Sequence, residues 1–168
     1  MNNDAERDQS EIEIRLATAD DAPSVSEVLF QAFIEYRSLY TAAGFAATTP
    51  DVEQIKRRMI EGPIWIALRH DTVIGTVSAV LQGESVYVRG MAVLREARGH
   101  RAGELLMNEI ELFAFASKCR RLYLSTTPFL DRAIALYGRL GFDRIDEGPH
   151  DLYGTPLLTM ARTLAPMS

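Results

Sequence analysis

The sequence has little cysteine and no long apolar run, and each absence excludes a class of protein. Its one cysteine, Cys119, cannot form a disulfide within the chain, and one cysteine with three scattered histidines gives no zinc-ligand spacing. No apolar run approaches the roughly 18 residues that span a bilayer. The first ten residues are polar and acidic, unlike a signal peptide. These absences predict a cytoplasmic protein with no metal site and no membrane contact.

An excess of positive charge is also missing. The 18 Lys and Arg are outnumbered by 23 Asp and Glu, for a net charge of −5, which disfavours a nucleic acid backbone as the main partner. Residues 1–88 carry a net −7, residues 89–121 a net +3 and residues 122–168 a net −1. The basic island at 89–121 predicts either a site for one localised anion or a solvated basic helix end.

What is present is the pattern of one α/β domain over residues 11–168, after a polar tail at residues 1–10. Its 168 residues suffice to bury a core without a disulfide or a structural metal. Apolar spacing and turn residues predict strands at 11–16, 64–68, 73–81, 85–93, 122–126, 142–146 and 157–163. They predict helices from about Pro23 to Phe33, at 51–61, at 103–117 and at 129–140, with irregular segments at 36–49 and in a polar loop around 148–154. Gly90, inside a strand, indicates a bulge or a close approach.

Residues 91–106 pass from an apolar strand through a Gly- and Arg-containing loop into an amphipathic helix. The first N–H groups of such a helix are unpaired and lie at its positive dipole end, which suits an anion. Arg95, Arg98, His100 and Arg101 would add positive charge, and small residues at 99, 102 and 103 would admit a phosphate. The alternative is a turn whose glycines serve packing only. The G-x-G-x-x-G and G-x-x-x-x-G-K-[ST] patterns are absent, which excludes two familiar nucleotide loops.

The loop Arg98-Gly99-His100-Arg101-Ala102-Gly103 is similar to the acetyl-CoA loop [QR]-x-x-G-x-[GA] of the GNAT N-acetyltransferase superfamily, with Arg101 where that family usually has glycine. The segment Ala133-Ile134-Ala135-Leu136-Tyr137-Gly138-Arg139-Leu140-Gly141-Phe142 resembles the family's A-x-x-L-Y-x-x-L-G-F element. One helix and one strand separate the two motifs, as in the family. The resemblance extends from about Glu11 to Leu164.

This resemblance implies a fold, a donor and a set of site residues. The fold would be a mixed, mostly antiparallel sheet of about six to seven strands flanked by about four helices. The donor would be acetyl-CoA, with its pantetheine arm against the backbone around Met91 and Val93. The implied cofactor-binding residues are Met91, Ala92, Val93, Arg98, Gly99, His100, Arg101, Ala102 and Gly103. Leu130 stands where many relatives carry an asparagine that contacts the cofactor.

Tyr137 is the implied catalytic residue. A phenol can donate a proton or a hydrogen bond to the departing CoA sulfur. Leu130, Ala133, Ile134 and Tyr137 share one helix face, so the phenol should be buried. The alternative is a core tyrosine with no catalytic role.

The acceptor and the general base stay open. The acceptor would be a small-molecule amine, a polyamine-like cation or a protein amino group, and the candidate bases are Glu35, Glu84, His150 and Asp151. The acidic and aromatic first third, with Tyr36, Tyr40 and Phe45, favours a neutral or cationic acceptor. Trp65 either lines the same pocket or packs in the core. An anionic acceptor would instead need a cation such as Arg89.

Three further alternatives concern function and assembly. A non-catalytic acyl-CoA-binding regulator on the same fold is the runner-up. An enzyme acting on charged tRNA is disfavoured by the negative net charge. The resemblance also leaves a homodimer open.

Overall fold

The computed structural model describes residues 11–99 and 101–165. The strands are β1 (Glu13–Leu16), β2 (Ile64–Arg69), β3 (Thr72–Gln82), β4 (Ser85–Val93), β5 (Arg121–Thr126), β6 (Asp143–Ile145), β7 (Asp151–Leu152), β8 (Thr155–Pro156) and β9 (Leu158–Thr163). The α-helices are α1 (Ala22–Phe33), α2 (Ala42–Thr48), α3 (Val52–Glu61), α4 (Ala102–Ala116) and α5 (Asp131–Arg139). Short 3-10 helices span Ala19–Asp21, Ile34–Leu39 and Arg95–Ala97.

Seven strands form one sheet in the order β1-β2-β3-β4-β5-β9-β6. Every neighbouring pair is antiparallel except β4 and β5, which run parallel. This confirms the predicted mixed, mostly antiparallel sheet. Within the described ranges, no helix combines the length and the apolar character needed to cross a membrane, and no group of three or more His, Cys, Asp or Glu side chains is placed to hold a metal ion.

Each face of the sheet has its own apolar core. One face is covered by α4 and α5, which contribute Leu106, Ile110 and Tyr137 to a core shared with the sheet. The other face is covered by α1 and α3, which contribute Leu29 and Ile55. Strand residues alternate between the two cores because successive side chains point to opposite faces.

Local signals set several helix ends as predicted. Asp51 caps α3 by accepting a hydrogen bond from the Gln54 N–H at 2.8 Å, and the Gln54 side chain accepts from the Asp51 N–H at 2.9 Å. Gly62 follows the helix, and a side chain there would clash with the Ala79 carbonyl oxygen at 2.0 Å. The capping side chain of Asp51 therefore sets the start of α3, and the glycine at position 62 sets its end.

Two segments differ from the prediction. Residues 36–49 were predicted to be irregular, but they lie in the 3-10 helix Ile34–Leu39 and in α2. The polar loop contains the β7–β8 hairpin. The cause is mutual packing of these distant segments: the Thr41 N–H donates to Thr155 Oγ1 at 2.9 Å, and a side chain at Gly44 would meet that same oxygen at 2.3 Å. Such contacts leave no local sequence signal.

Strand β4 has two unlike halves. Its register with β5 covers three residue pairs and ends at Tyr87 with Tyr123. Its register with β3 shifts by one residue before Ala92, at Gly90, whose φ is +62°. This is the bulge that the glycine predicted. Beyond it, β4 continues to Val93 beside a gap in the sheet.

Candidate active site

A cavity of about 380 Å³ lies where β4, α4 and α5 meet, next to the end of α1. Eight of the nine residues assigned by resemblance to the cofactor are within the described part of the chain, and all eight line this cavity. They are Met91, Ala92, Val93, Arg98, Gly99, Arg101, Ala102 and Gly103. The ninth, His100, lies outside the described residues. The structure therefore brings the predicted loop and the predicted strand together around one space.

The N-terminus of α4 faces this cavity without a side-chain cap. Its first backbone hydrogen bond runs from the Leu105 N–H to the Arg101 carbonyl at 3.0 Å, so the N–H groups of residues 102–104 have no partner within the helix. Arg101 adopts the left-handed conformation, with φ +66°. That conformation explains why the family usually has glycine here, since a side chain costs about 1–2 kcal/mol in it.

The glycines of the loop do different things. Gly99 has φ +86° and nothing within 4 Å of the place where a side chain would begin, so the backbone is open there. At Gly103, a side chain would come within 2.9 Å of Leu136 Cδ2 on α5. The absence of a side chain at 103 therefore allows α4 and α5 to approach each other, which was the packing alternative.

Positive charge surrounds the cavity, partly neutralised by carboxylates. Arg98 is held by Glu35, with Nη2 to Oε1 at 2.7 Å, and Arg101 lies 3.6 Å from Glu104. Arg132 and Arg139 on α5 also line the cavity. Neither arginine was predicted as a cavity residue, although their i, i+7 spacing around Leu136 places all three on one helix stripe.

Tyr137 lies on the buried face of α5, as its helical spacing predicted, and is 6% exposed. It lines the cavity and packs against Phe142 with ring centroids 5.9 Å apart. Among the described residues, its hydroxyl makes no hydrogen bond. Burial raises the pKa of this phenol well above its usual value of about 10. The hydroxyl therefore keeps its proton at neutral and moderately alkaline pH.

The second half of β4 offers main-chain groups to the cavity. The Leu94 N–H donates to the Ile74 carbonyl of β3 at 2.8 Å. Because successive residues of a strand point their backbone groups to opposite edges, those of Val93 and Met91 point away from β3. They face the gap that β5 leaves beyond Tyr87.

Three of the four aromatic residues predicted for the acceptor form one group. Tyr36 lines the cavity and packs against Phe129 with ring centroids 6.3 Å apart, and Phe129 also contacts the buried Tyr40, which packs against Phe45. Trp65 is a core residue, 6% exposed and packed edge-on against Phe113 at 5.6 Å.

The candidate bases are also dispersed. Glu35 is occupied by Arg98, and Glu84 precedes β4 at the end remote from Met91, roughly 23 Å away at the usual strand rise. His150 and Asp151 belong to the segment around the β7–β8 hairpin and do not line the cavity. Cys119 is buried, and burial raises the pKa of its thiol, which disfavours a nucleophilic role.

The fold and the two motifs around this cavity define an acetyltransferase of the GNAT type. A family model described as the Acetyltransferase (GNAT) family matches residues 29–142, and the chain belongs to that family. It is thus an acyltransferase of a family whose acetyl donor is acetyl-CoA.

Named relatives agree with this assignment. The chain is 30% identical over 152 residues to the uncharacterized N-acetyltransferase YjgM of Escherichia coli, covering 87% of this chain and 89% of that protein. Its fold is similar to that of PaiA N-acetyltransferase from Thermoplasma acidophilum in complex with coenzyme A, with a TM-score of 0.79 at 15% identity over 91% of this chain and 99% of that one. A GNAT family acetyltransferase from Elizabethkingia anophelis with acetyl-CoA bound gives a TM-score of 0.68 at 19% identity, over 92% and 99%.

Proposed function

We propose that this protein transfers the acetyl group of acetyl-CoA to a primary amine by direct attack of the amine nitrogen on the thioester. The observation that carries the proposal is a protonated, buried Tyr137 hydroxyl in the same cavity as the unpaired main-chain edge of β4. The nitrogen–carbon bond forms as the carbon–sulfur bond breaks. The sulfur leaves with the electron pair and is stabilised by the phenol, and the proton that the attacking nitrogen loses ends on this sulfur, which gives the amide and the free CoA thiol.

The donor's anionic end fits the N-terminus of α4. Unpaired N–H groups and the helix dipole attract phosphate there, and the left-handed backbone at Arg101 turns the chain so that those groups face the cavity. Arg98 and Arg101 flank the site from the loop, and Arg132 and Arg139 flank it from α5. These four arginines exceed the two carboxylates paired with them, Glu35 and Glu104, and the remaining positive charge favours a ligand with several negative charges.

The donor's amide-containing arm fits the second half of β4. The N–H and carbonyl groups of Met91 and Val93 can pair with the arm's amides as a neighbouring strand would. The gap left by β5 beyond Tyr87 provides the room. This placement brings the thioester towards Tyr137, which lines the same cavity from α5.

Tyr137 then acts on the leaving sulfur. Negative charge develops there in the transition state, and a donor fixed in a dry site stabilises that charge without reorganising. The raised pKa keeps the phenol in its donating form. Because its hydroxyl has no partner among the described residues, it is free to interact with the sulfur.

Among the described residues that line the cavity, no side chain is placed as a strong base for the amine, since Glu104 lies on the first turn of α4 beside Arg101. We therefore propose that the amine loses its proton to water before attack. The rate should then rise with pH as the free-amine fraction of the acceptor increases.

Calorimetry of acetyl-CoA binding tests the donor site. We expect affinity to fall as salt rises, because the contacts are between charges, and to fall about tenfold or more in Arg98→Ala. Arg57→Ala, which removes an exposed arginine on α3, is the matched control and should leave affinity unchanged. Arg98→Ala also leaves the Glu35 carboxylate without its partner. Glu35→Gln removes that carboxylate charge and keeps Arg98, so it separates the two effects on affinity. Absence of acetyl-CoA binding, or binding indifferent to Arg98→Ala and to a bulky residue at Gly103, would overturn the donor assignment.

A further inference from the structure

Two arginines meet at the bulge of β4, on the face of the sheet that α1 and α3 cover, and neither of them lines the cofactor cavity. Arg89 is on β4 itself, and its Nη2 lies 2.6 Å from Glu61 Oε2. Arg58 reaches over from α3, where a side chain at Gly90 would come within 3.4 Å of its Nη1. The Arg58 guanidinium therefore lies against the segment that immediately precedes Met91, and Arg89 belongs to that segment.

This arginine pair has more positive charge than its surroundings neutralise. Arg58 makes one hydrogen bond, to the Ala47 carbonyl at 3.3 Å, and has no ion-pair partner among residues 11–99 and 101–165. Burial and the charge of Arg89 lower the pKa of Arg58 to about 10. Glu61 pairs with Arg89 and is half exposed. Two half-buried cations thus share one carboxylate, and a second anion would relieve their repulsion.

Unmet hydrogen-bonding groups lie at the same place. Arg89 Nε and Ser78 Oγ are buried and have no hydrogen-bond partner in the described part of the chain. Ser78 stands directly opposite Arg89 in the β3–β4 register, so the two side chains share one face of the sheet. Ser78 is 3% exposed. Buried donors are normally satisfied, and an oxyanion would satisfy both.

The position of these groups relates them to the acetyl acceptor. Ser78 also stands opposite Ile64, which belongs to the core under α1 and α3, whereas α4 and α5 cover the other face. If the thioester lies beside Met91, as the proposed function has it, Arg89 is two strand residues away, or roughly 7 Å. An amine attacking that thioester from the α1–α3 side would bring a group a few bonds away onto the two arginines.

We infer that Arg58, Arg89 and Ser78 bind an oxyanion of the acceptor, which is therefore a small primary amine carrying a carboxylate or a phosphonate a few bonds from its nitrogen. This inference rests on the proposed function. It favours the anionic alternative of the sequence analysis over a neutral or cationic acceptor. The arginines set which amine is accepted, while Tyr137 and α4 serve every acetyl transfer.

The first test uses the unmodified protein and measures CoA thiol release with matched acceptors. Each amino acid is compared with its amide, which keeps the amine and removes the anion, and 2-aminoethylphosphonate is compared with ethanolamine. Spermidine and an amino-terminal peptide complete the panel. We expect kcat/KM to be at least tenfold higher for the anionic member of a pair, and the carboxylate and phosphonate arms identify which oxyanion is preferred.

The second test uses variants. Arg58→Gln and Arg89→Gln should each raise KM for the anionic acceptor about ten- to a hundredfold, with KM for acetyl-CoA and kcat/KM for the paired amide unchanged. Arg57→Gln, an exposed arginine one residue along α3, should change none of these constants. Ser78→Ala should raise KM for the anionic acceptor by a smaller factor. This variant tests the site if an arginine variant fails to fold.

The outcomes distinguish this inference from the proposed function. Acetyl-CoA binding with turnover of amines, but no preference for the anionic member of any pair, overturns the oxyanion site alone. Best activity with spermidine, or activity confined to the peptide, does the same. Absence of acetyl-CoA binding would overturn the proposed function as well. A preference that survives Arg58→Gln, Arg89→Gln and Ser78→Ala also contradicts the assignment of these residues.

Discussion

The two sides of β4 are built in different ways. On the cofactor side, residues 98–99 and 101–103 and the helix face at 132–139 are short segments that line the cavity together. On the side where we propose that the acceptor binds, Arg58, Ser78 and Arg89 come from three separate elements, α3, β3 and β4. A site for a shared donor is thus encoded locally, whereas a site for a particular acceptor is assembled by tertiary packing.

The largest effect is expected from a variant that impairs the chemical step on the cofactor side of β4 alone. Tyr137→Phe removes the hydroxyl and keeps the ring packed against Phe142. We expect kcat to fall about 10²- to 10⁴-fold, as for loss of a general acid, with little change in acetyl-CoA affinity by calorimetry. An unchanged kcat with any active acceptor would make Tyr137 a core residue only.

The next effect tests whether the cofactor side depends on helix packing. Gly103→Val places a branched side chain against Leu136 Cδ2, and overpacking of this kind costs about 1–3 kcal/mol. We expect a lower melting temperature and weaker acetyl-CoA binding. Adding Leu136→Ala should restore most of the stability. Gly138→Ala is the control, because nothing lies within 4 Å of a side chain there. Equal losses in both glycine variants would contradict the packing role.

An alkaline titration compares the two sides through their buried tyrosines. Burial raises the pKa of both Tyr137 and Tyr40 above the unfolded value of about 10. Above pH 10 the unfolded chain loses protons that the folded protein keeps, so the free energy of unfolding falls, by up to about 1.4 kcal/mol per pH unit for each tyrosine. Below pH 9 these groups leave stability unchanged. Denaturant unfolding at pH 8 to 11 should show a shallower decline in Tyr137→Phe and in Tyr40→Phe. A decline identical to that of the unmodified protein in both variants would refute the shifts.

The smallest effect concerns one backbone conformation. Arg101→Gly relieves the left-handed strain at φ +66° and removes a distant ion pair with Glu104. We expect a gain of about 1 kcal/mol in stability and a loss of acetyl-CoA affinity within about threefold, measured by thermal unfolding and calorimetry. A loss of affinity as large as that in Arg98→Ala would instead make the Arg101 side chain a principal phosphate ligand.

The same contrast explains what could be predicted from the sequence. The capped start of α3, the bulge at Gly90 and the buried face of α5 followed from neighbouring residues, and so did the cavity-lining loop. The helical spacing of Arg132 and Arg139 was a further local signal, which indicates that both lie on one face of α5, but neither was predicted as a cavity residue. The helices within 34–48 and the β7–β8 hairpin depend on the contact of Thr41 with Thr155, more than a hundred residues apart. Neither segment has a sequence pattern that predicts this contact.

In the position we propose for the donor's arm, the short ladder between β4 and β5 lets the bound donor complete the sheet and add to its stability. The two strands separate after Tyr87 and Tyr123, so the free protein has a strand edge in its interior, shielded from the edge-to-edge pairing that drives aggregation. An arm that occupies the gap completes the sheet and binds the folded state alone. Amide hydrogens of Met91 and Val93 should exchange with solvent in the free protein and become slow with CoA bound, while unfolding shifts to higher temperature as ligand concentration rises. The enzyme is then most rigid when loaded with donor and loosens after each release of CoA.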